Sequence, residues 1–278
     1  MDKKLVVDIF ETDKPNVCFV GDIHGEFDSL KGLIKKTGFK DTVYIICGDI
    51  GLGFHKKEYY SQIFNKLSKT ASKLNCEFMF IRGNHDNKKY FDKRLIHRKC
   101  FKTIPDYSVI KTPSHNILCV GGAISIDRGY RKEKFEKQAK AISEYNNISL
   151  NEAKKIADML YWDDEPCYFD EEKLSQLKLN SINIDIVCTH TCPSFVKPFG
   201  KIGIEYWLDK DKMLSADIDN ERAVMDNVYN KLKEDGHEMN LWVYGHFHFH
   251  NSDYVGNTKF VMLDMCRNHN CDIYDVIF

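Results

Sequence analysis

The sequence predicts an α/β fold in which polar motifs follow the carboxyl ends of buried strands. Within the first 86 residues, an apolar run followed by a short polar motif and a helix-like stretch occurs repeatedly. Alternation of this kind is typical of sheets with parallel strands, which bind ligands at the carboxyl ends of their strands. The predicted strands cover residues 17–20, 43–47 and 78–81, and the predicted helices cover 26–36 and 58–74.

Size and composition exclude several classes of protein. With 278 residues the chain can bury a full core, and we expect one domain over residues 1–278. The 40 basic and 41 acidic residues give a net charge of −1, so nothing favours a membrane surface or a long nucleic-acid duplex as partner. Ten scattered cysteines predict no disulfide framework. The N-terminus does not resemble a signal peptide, and a reducing, cytoplasmic setting is expected.

The later elements are predicted from local patterns. Residues 4–10 and 16–20 are expected to form paired strands. Residues 131–180 are charged, helical in pattern and free of glycine, which favours a helical insertion or cap within the domain. Inside it, residues 149–152 form a capping box that predicts a helix running to about Tyr161. Residues 106–126 are predicted to be rich in strands. Strands are also predicted over 184–188 and 241–244, with a helix over 217–235 between them, and two or three further strands should end the chain.

Seven carboxylate, amide or imidazole side chains follow apolar runs, most of them beside a glycine. Asp22 and His24 are two residues apart, so both point to the same face of an extended segment. Together the seven provide both oxygen and nitrogen ligands, which suits Mn, Fe, Zn or Ni better than Mg or Ca. The candidate metal ligands are Asp22, His24, Asp49, Asn84, His190, His246 and His248.

In the same order, these residues resemble the motifs of the calcineurin-like metallophosphoesterases. The resemblance covers residues from about 16 to 266. It implies a four-layer αββα sandwich of two mixed β-sheets flanked by helices, with two divalent metal ions between the loops. The matching motifs are Gly21-Asp22-Ile23-His24-Gly25, Gly48-Asp49, Gly83-Asn84-His85-Asp86, His190 and Gly245-His246-Phe247-His248.

The resemblance also implies a role for each residue. A first ligand set, Asp22, His24 and His248, would hold one cation. A second ligand set, Asn84, His190 and His246, would hold the other, and Asp49 would bridge the two. The implied reaction is hydrolysis of phosphate mono- or diesters by a metal-bridging hydroxide. His85 would act as general acid, with Asp86 orienting it. Manganese is the expected metal, with Fe, Zn or Ni as alternatives.

A second resemblance, to small bacterial and phage metallophosphoesterases, covers residues 121–127 with Arg131, and then residues 161–166. Arg128 and Arg131 are candidates for binding substrate phosphate, because a guanidinium group matches phosphate in a bidentate manner. In the alternative interpretation, Arg131 pairs with Asp127 or Glu165 and anchors the loop.

Three other functions stay open at this point. The first is a nucleotide or nucleic-acid phosphodiesterase, in which Phe54, Trp162 or Phe247 could stack on a base. The second is a protein Ser/Thr phosphatase. Residues 50–54 lack the arginine of that branch, and Asp86 replaces its usual glutamate. The third is a non-catalytic scaffold, which would be expected to have lost ligands. The expected partner is thus a phosphate ester, with nucleotides and phosphoproteins included.

Overall fold

The computed structural model describes residues 7–157, 161–198, 203–267 and 270–276. Within these ranges, thirteen strands form two mixed sheets. In chain order the strands are β1 (Ile9–Glu11), β2 (Asn16–Val20), β3 (Thr42–Ile46), β4 (Glu77–Phe80), β5 (His97–Arg98), β6 (Phe101–Thr103), β7 (Ser108–Lys111), β8 (Asn116–Val120), β9 (Ile186–Thr189), β10 (Leu241–Tyr244), β11 (Asn251–Val255), β12 (Thr258–Met262) and β13 (Ile273–Val276).

Helices connect most of the parallel strands. A single 3₁₀ turn over Ser194–Val196 follows β9. In chain order the α-helices of the described ranges are α1 (Phe27–Thr37), α2 (Lys57–Lys73), α3 (Lys89–Asp92), α4 (Arg128–Asn146), α5 (Leu150–Ile156), α6 (Glu171–Leu179), α7 (Ile204–Lys210) and α8 (Leu214–Glu234).

Both sheets have parallel strands at their centre. The seven-stranded sheet has the order β1-β7-β8-β9-β10-β12-β11, and the six-stranded sheet has the order β13-β2-β3-β4-β6-β5. Strands β2, β3 and β4 run parallel to one another, as do β8, β9 and β10. Because parallel strands end at the same edge, each sheet directs a row of loops to one side.

Alternate residues of each strand enter different apolar layers. In β2, Val17 and Phe19 face a core shared by the two sheets, whereas Cys18 and Val20 face the helices. Helices α1 and α2 cover the outer face of the six-stranded sheet, and α6 and α8 cover that of the other. The result is the αββα sandwich that the family resemblance implies.

The predicted pairing of the first two strands is wrong. β1 pairs in parallel with β7, whereas β2 lies in the other sheet between β13 and β3. Residues 12–15 carry the chain from one sheet to the other and do not form a hairpin turn. Residues 4–6 of the predicted first strand lie outside the described residues.

The predicted insertion contains most of α4, all of α5 and all of α6. The capping box is confirmed, since Ser149 and Glu152 bond to each other's backbone amides. The helix that it starts ends at Ile156, short of the predicted Tyr161, and residues 158–160 lie outside the described ranges. Leu174 and Leu177 of α6 are buried against the seven-stranded sheet, so this helix belongs to the sandwich.

Two further features concern the cysteines and the helices. Cys266 and Cys271 form a disulfide, a pairing that the sequence analysis did not predict, and the other eight cysteines are free and buried. Among the described helices, none has both the length and the apolar character needed to cross a membrane.

Candidate metal centre

Five loops bring the seven predicted ligands to one edge of the sandwich. The loops after β2, β3 and β4 supply Asp22, His24, Asp49 and Asn84, and the loops after β9 and β10 supply the three histidines. Asp22, His24, Asp49 and His248 each offer one ligand atom, and these four atoms lie within 4.8 Å of one another. We refer to the seven side chains as the candidate centre.

The first ligand set is compact. The Nε2 atom of His248 lies 3.2 Å from Oδ2 of Asp22 and 3.1 Å from Nε2 of His24. The Nε2 atom of His24 lies 3.7 Å from Oδ2 of Asp22. Two imidazole nitrogens and a carboxylate oxygen therefore point toward a common place.

The second ligand set is assembled around His190, which is fully buried. Its Nε2 atom lies 2.9 Å from Oδ1 of Asn84, and its ring centroid lies 4.9 Å from that of His246. Its Nδ1 atom donates a hydrogen bond of 2.7 Å to the carbonyl of Cys47. That bond leaves the Nε2 lone pair of the neutral ring available to a metal ion.

Asp49 lies between the two sets. Its Oδ2 atom is 3.7 Å from Nε2 of His24, and its Oδ1 atom is 3.3 Å from Nε2 of His190. One buried carboxylate thus directs its two oxygens to opposite halves of the centre. The mixed carboxylate, amide and imidazole donors fit a pair of divalent transition-metal ions.

The backbone of the centre adopts an uncommon conformation. Four candidate ligands have positive φ angles, namely His24 at 44°, Asp49 at 49°, His246 at 71° and His248 at 56°. Residues other than glycine rarely adopt this region, and such strain is concentrated at functional sites. The packed loops hold these side chains in place at the expense of local backbone strain.

Two of the motif glycines leave room for ligands from neighbouring strands. A Cβ atom at Gly48 would lie 2.2 Å from Nδ1 of His190, and one at Gly245 would lie 2.1 Å from Oδ1 of Asp22. Both distances are far shorter than any real contact. These glycines are therefore part of the site because a side chain crosses directly over them.

The buried carboxylates of the candidate centre are stabilised by nearby positive charge. Burial opposes ionisation of Asp49, but the neighbouring His190, His85 and His24 hold its pKa well below the usual value. Burial also disfavours the charged form of His190, yet the carboxylates of Asp49 and Asp22 raise its pKa to about 9. In the metal-free protein, protonated His190 thus offsets part of the buried negative charge.

His85 lies at the rim of the centre. It is half-buried, and its ring centroid is 5.3 Å from that of His24 and 6.5 Å from that of Phe54. Its backbone N–H donates to Oδ1 of Asp49 over 2.7 Å. The backbone of His85 is therefore fixed by the same carboxylate that lies between the two ligand sets, and its imidazole lies beside the ring of His24.

Asp86 connects two of the ligand loops. Its carboxylate accepts four backbone N–H bonds of 2.8 to 3.1 Å, from residues 50–52 and from Gly83. Burial and the charge of Asp49 raise its pKa to about 6, against the opposing effect of these bonds. Asp86 therefore holds the two loops together through backbone hydrogen bonds. That Asp86 also orients His85 stays a prediction.

A buried network that the sequence analysis did not assign supports Asn84. The Nδ2 group of Asn84 donates to Oγ of Ser125 over 2.8 Å, and Ser125 Oγ donates to Oε2 of Glu165 over 2.8 Å. Arg131 donates to the same Oγ over 2.7 Å and lies 3.6 Å from Glu165. The network fixes the amide so that its oxygen faces His190. Ser125 and Glu165 both lie in the second family-like pattern, but helices α4 and α5 separate them in the sequence, so their contact could not be predicted.

The two predicted phosphate-binding arginines have structural partners. Arg128 bonds to Asp211 over 2.7 Å and to Asp217 over 2.6 Å, which joins the start of α4 to α7 and α8. Arg131 contacts Glu165, as in the alternative interpretation that it anchors the loop. Binding of substrate phosphate by either arginine stays untested.

Comparisons with known proteins agree with this geometry. A family model for calcineurin-like phosphoesterases matches residues 15–250. No curated protein matches the chain significantly.

Similar solved structures are distant in sequence. A dimetal phosphatase from Danio rerio is 12% identical with a TM-score of 0.47, and the match covers 91% of this chain and 88% of that one. The phosphopantetheinyl hydrolase of Mycobacterium tuberculosis is 13% identical with a TM-score of 0.42, and the match covers 91% of this chain and 90% of that one. A protein described as a 5′-nucleotidase from Staphylococcus aureus is 10% identical with a TM-score of 0.42. That match covers 90% of this chain but 49% of the other, so this chain spans about half of the length of that protein. The family match extends over most of the chain, and residues 15–250 include all seven candidate ligands, so the protein belongs to the calcineurin-like phosphoesterase family.

Proposed function

We propose that the protein hydrolyses phosphate mono- or diesters by using two divalent cations, one held by each ligand set. The observation that carries the proposal is the position of Asp49, whose two oxygens face the two sets at 3.7 and 3.3 Å. A carboxylate in this position can bind both cations and offset the repulsion between them. We further propose manganese as the metal and the cytoplasm as the location.

Different residues of the chain would contribute to different parts of the reaction. When bound, the cations would activate water as a nucleophile and neutralise charge on the phosphoryl oxygens. Asp49 stays ionised because its histidine neighbours hold its pKa low. His85 would donate a proton to the departing ester oxygen, since its imidazole lies at the rim beside the first ligand set.

The first test is hydrolysis of 4-nitrophenyl phosphate and bis(4-nitrophenyl) phosphate with added Mn, Fe, Zn or Ni. We expect activity that chelation abolishes. In Asp49→Ala, bound metal and turnover should both fall by more than about 100-fold, because even a residue that only orients a metal ligand contributes about 10- to 100-fold. Stoichiometric metal without turnover on any ester would favour the scaffold hypothesis. Nucleotides and phosphopeptides, tested beside these esters, would separate the remaining substrate classes.

A second test addresses His85. General acid catalysis contributes about 10²- to 10⁴-fold, and it matters most when the leaving group is a poor one. His85→Ala should therefore slow phenyl phosphate hydrolysis far more than 4-nitrophenyl phosphate hydrolysis. The matched control is His97→Ala, which removes an exposed histidine on β5. Equal losses on both esters would remove the general-acid role.

A further inference from the structure

A cavity adjoins the candidate centre on the side of the second ligand set. It has a volume of about 410 Å³, within the range of small-molecule sites. His246 borders it, and α8 together with the loops after β8, β9 and β10 forms its walls. Much of the lining is apolar, with Ile124, Ile126, Ile218 and Phe247 among the contributing residues. We call it the α8 cavity.

Arg222 of α8 lines this cavity and is 8% exposed. Its Nη2 group donates to the carbonyl of Pro193, and its guanidinium lies 5.4 Å from the ring centroid of Phe247. Its Nε group has no hydrogen-bond partner, and no carboxylate of the described residues forms an ion pair with it. By contrast, Arg82, Arg128 and Arg131 each have a carboxylate partner.

The acidic residues nearest to Arg222 in the sequence are engaged elsewhere. Glu221 accepts hydrogen bonds from the backbone of Ile124 and, over 2.7 Å, from the hydroxyl of Thr191. Asp226 accepts two bonds of 2.7 Å from the backbone and hydroxyl of Ser194. A buried cation without a counter-ion is costly, so Arg222 is a ready partner for an anion that enters the cavity.

We propose that the α8 cavity binds the leaving group of the substrate, and that this group has an apolar body ending in one anionic group paired with Arg222. The inference rests on the proposed function and narrows its substrate class. The apolar side chains fit the body, and the guanidinium fits a carboxylate or a similar singly charged group. Because Asp219, Glu221 and Asp226 also line the cavity, a polyanion such as a triphosphate would be repelled.

The test compares two esters of equal shape and different charge. These are 4-(carboxymethyl)phenyl phosphate and its neutral analogue, 4-(carbamoylmethyl)phenyl phosphate. We expect kcat/KM to favour the carboxylate by about tenfold or more, the usual size of a charge-assisted contact. Arg222→Gln should abolish this preference, and Arg98→Gln on the edge strand β5 should keep it.

A second variant tests the charge without removing a buried arginine. Ile218 precedes Arg222 by one helical turn, so Ile218→Glu places a carboxylate at the spacing that forms ion pairs. Ile218→Glu should abolish the preference, whereas Ile218→Gln, which has the same shape without charge, should retain it. This pair remains informative if Arg222→Gln fails to fold.

Calorimetry with the two corresponding phenols, 4-hydroxyphenylacetate and 4-hydroxyphenylacetamide, tests the cavity without turnover. We expect the acid to bind about tenfold tighter to the wild type. If neither ester is hydrolysed with any metal, the proposed function fails. The binding result then still tests whether the α8 cavity prefers the anionic phenol. The inference is overturned if the wild type lacks the preference, if it favours the cationic 4-(2-aminoethyl)phenyl phosphate, or if Arg222→Gln slows both esters equally.

Discussion

The Nε2 atoms of His24 and His248 lie 3.1 Å apart, although 224 residues separate them in the sequence. Their rings meet nearly edge to face, with an interplanar angle of 85°. Between two neutral rings only one nitrogen can donate, whereas a cation accepts a lone pair from both. The pair can therefore share a hydrogen bond in the metal-free protein or bind one cation through both nitrogens.

Metal binding should stabilise the protein through this pair. A cation present at 100 times its dissociation constant adds about 2.7 kcal/mol to the free energy of unfolding. Thermal unfolding with EDTA and with Mn should reveal the difference, and acidification should reduce it because imidazole ligands must be neutral. His248→Ala should lose most of the shift. His250→Ala, which removes an exposed histidine bonded to Asp272, should keep it, and equal shifts in both variants would argue against the first ligand set.

The support of Asn84 by Ser125 predicts a selective loss of metal affinity. Ser125→Ala removes the acceptor of the Asn84 amide, so affinity for the second cation should fall about 10- to 100-fold while the first is retained. Calorimetric titration with Mn measures both. Ser125→Thr should restore binding because it keeps the hydroxyl.

Ser108→Ala is the matched control for this substitution. Ser108 is also buried, but its hydroxyl has no hydrogen-bond partner. Its removal should leave both affinities unchanged. Equal losses in the two alanine variants would show that Ser125 contributes only to packing.

Glu165 predicts a pH dependence of stability. Burial raises its pKa from 4.5 to about 7, although bonds from Ser125 and the charge of Arg131 oppose the shift. The folded protein thus keeps a proton that the unfolded chain releases, and the free energy of unfolding should decrease as the pH rises from about 4.5 to 7. The full effect is about 3 kcal/mol. Urea denaturation in EDTA, at several pH values, should show a flatter profile for Glu165→Gln, and identical slopes would contradict the assignment.

Asp86 should contribute more to stability than an exposed acid does. Asp86→Ala leaves four loop amides without their acceptor, at about 1–3 kcal/mol for each that stays unsatisfied. We expect a loss of about 3 kcal/mol or more in urea denaturation. Asp92→Ala, which removes an exposed ion pair with Lys88, should cost about 1 kcal/mol or less. Similar losses would mean that water replaces the carboxylate of Asp86.

The strand-end motifs could be predicted because their signal is local. An apolar run followed by glycine and a polar residue identifies the loops of Asp22, Asp49 and Asn84 without knowledge of the packing. The glycines at 48 and 245 are explained only by the folded structure, where His190 and Asp22 cross over them.

The features that could not be predicted depend on contacts between segments that lie far apart in the sequence. The sheet that β1 joins is decided by its partner β7, about 100 residues later. Glu165 contacts Ser125 only in the folded protein, because α4 and α5 separate the two residues in the sequence. Arg222 lies on an amphipathic helix where an arginine is expected to face solvent, and its burial results from the loops packed over it.

The ligands of the candidate centre come from both layers of strands. Asp22, His24, Asp49 and Asn84 extend from one sheet, and His190, His246 and His248 extend from the other. Apolar contact between the sheets is non-directional, so by itself it sets no preferred bond lengths or angles between them. Coordination bonds have preferred lengths and angles, so a bound ion pair would fix the lateral offset of one sheet against the other. Metal occupancy would thereby hold the two sheets together at this edge as well as supply the chemistry.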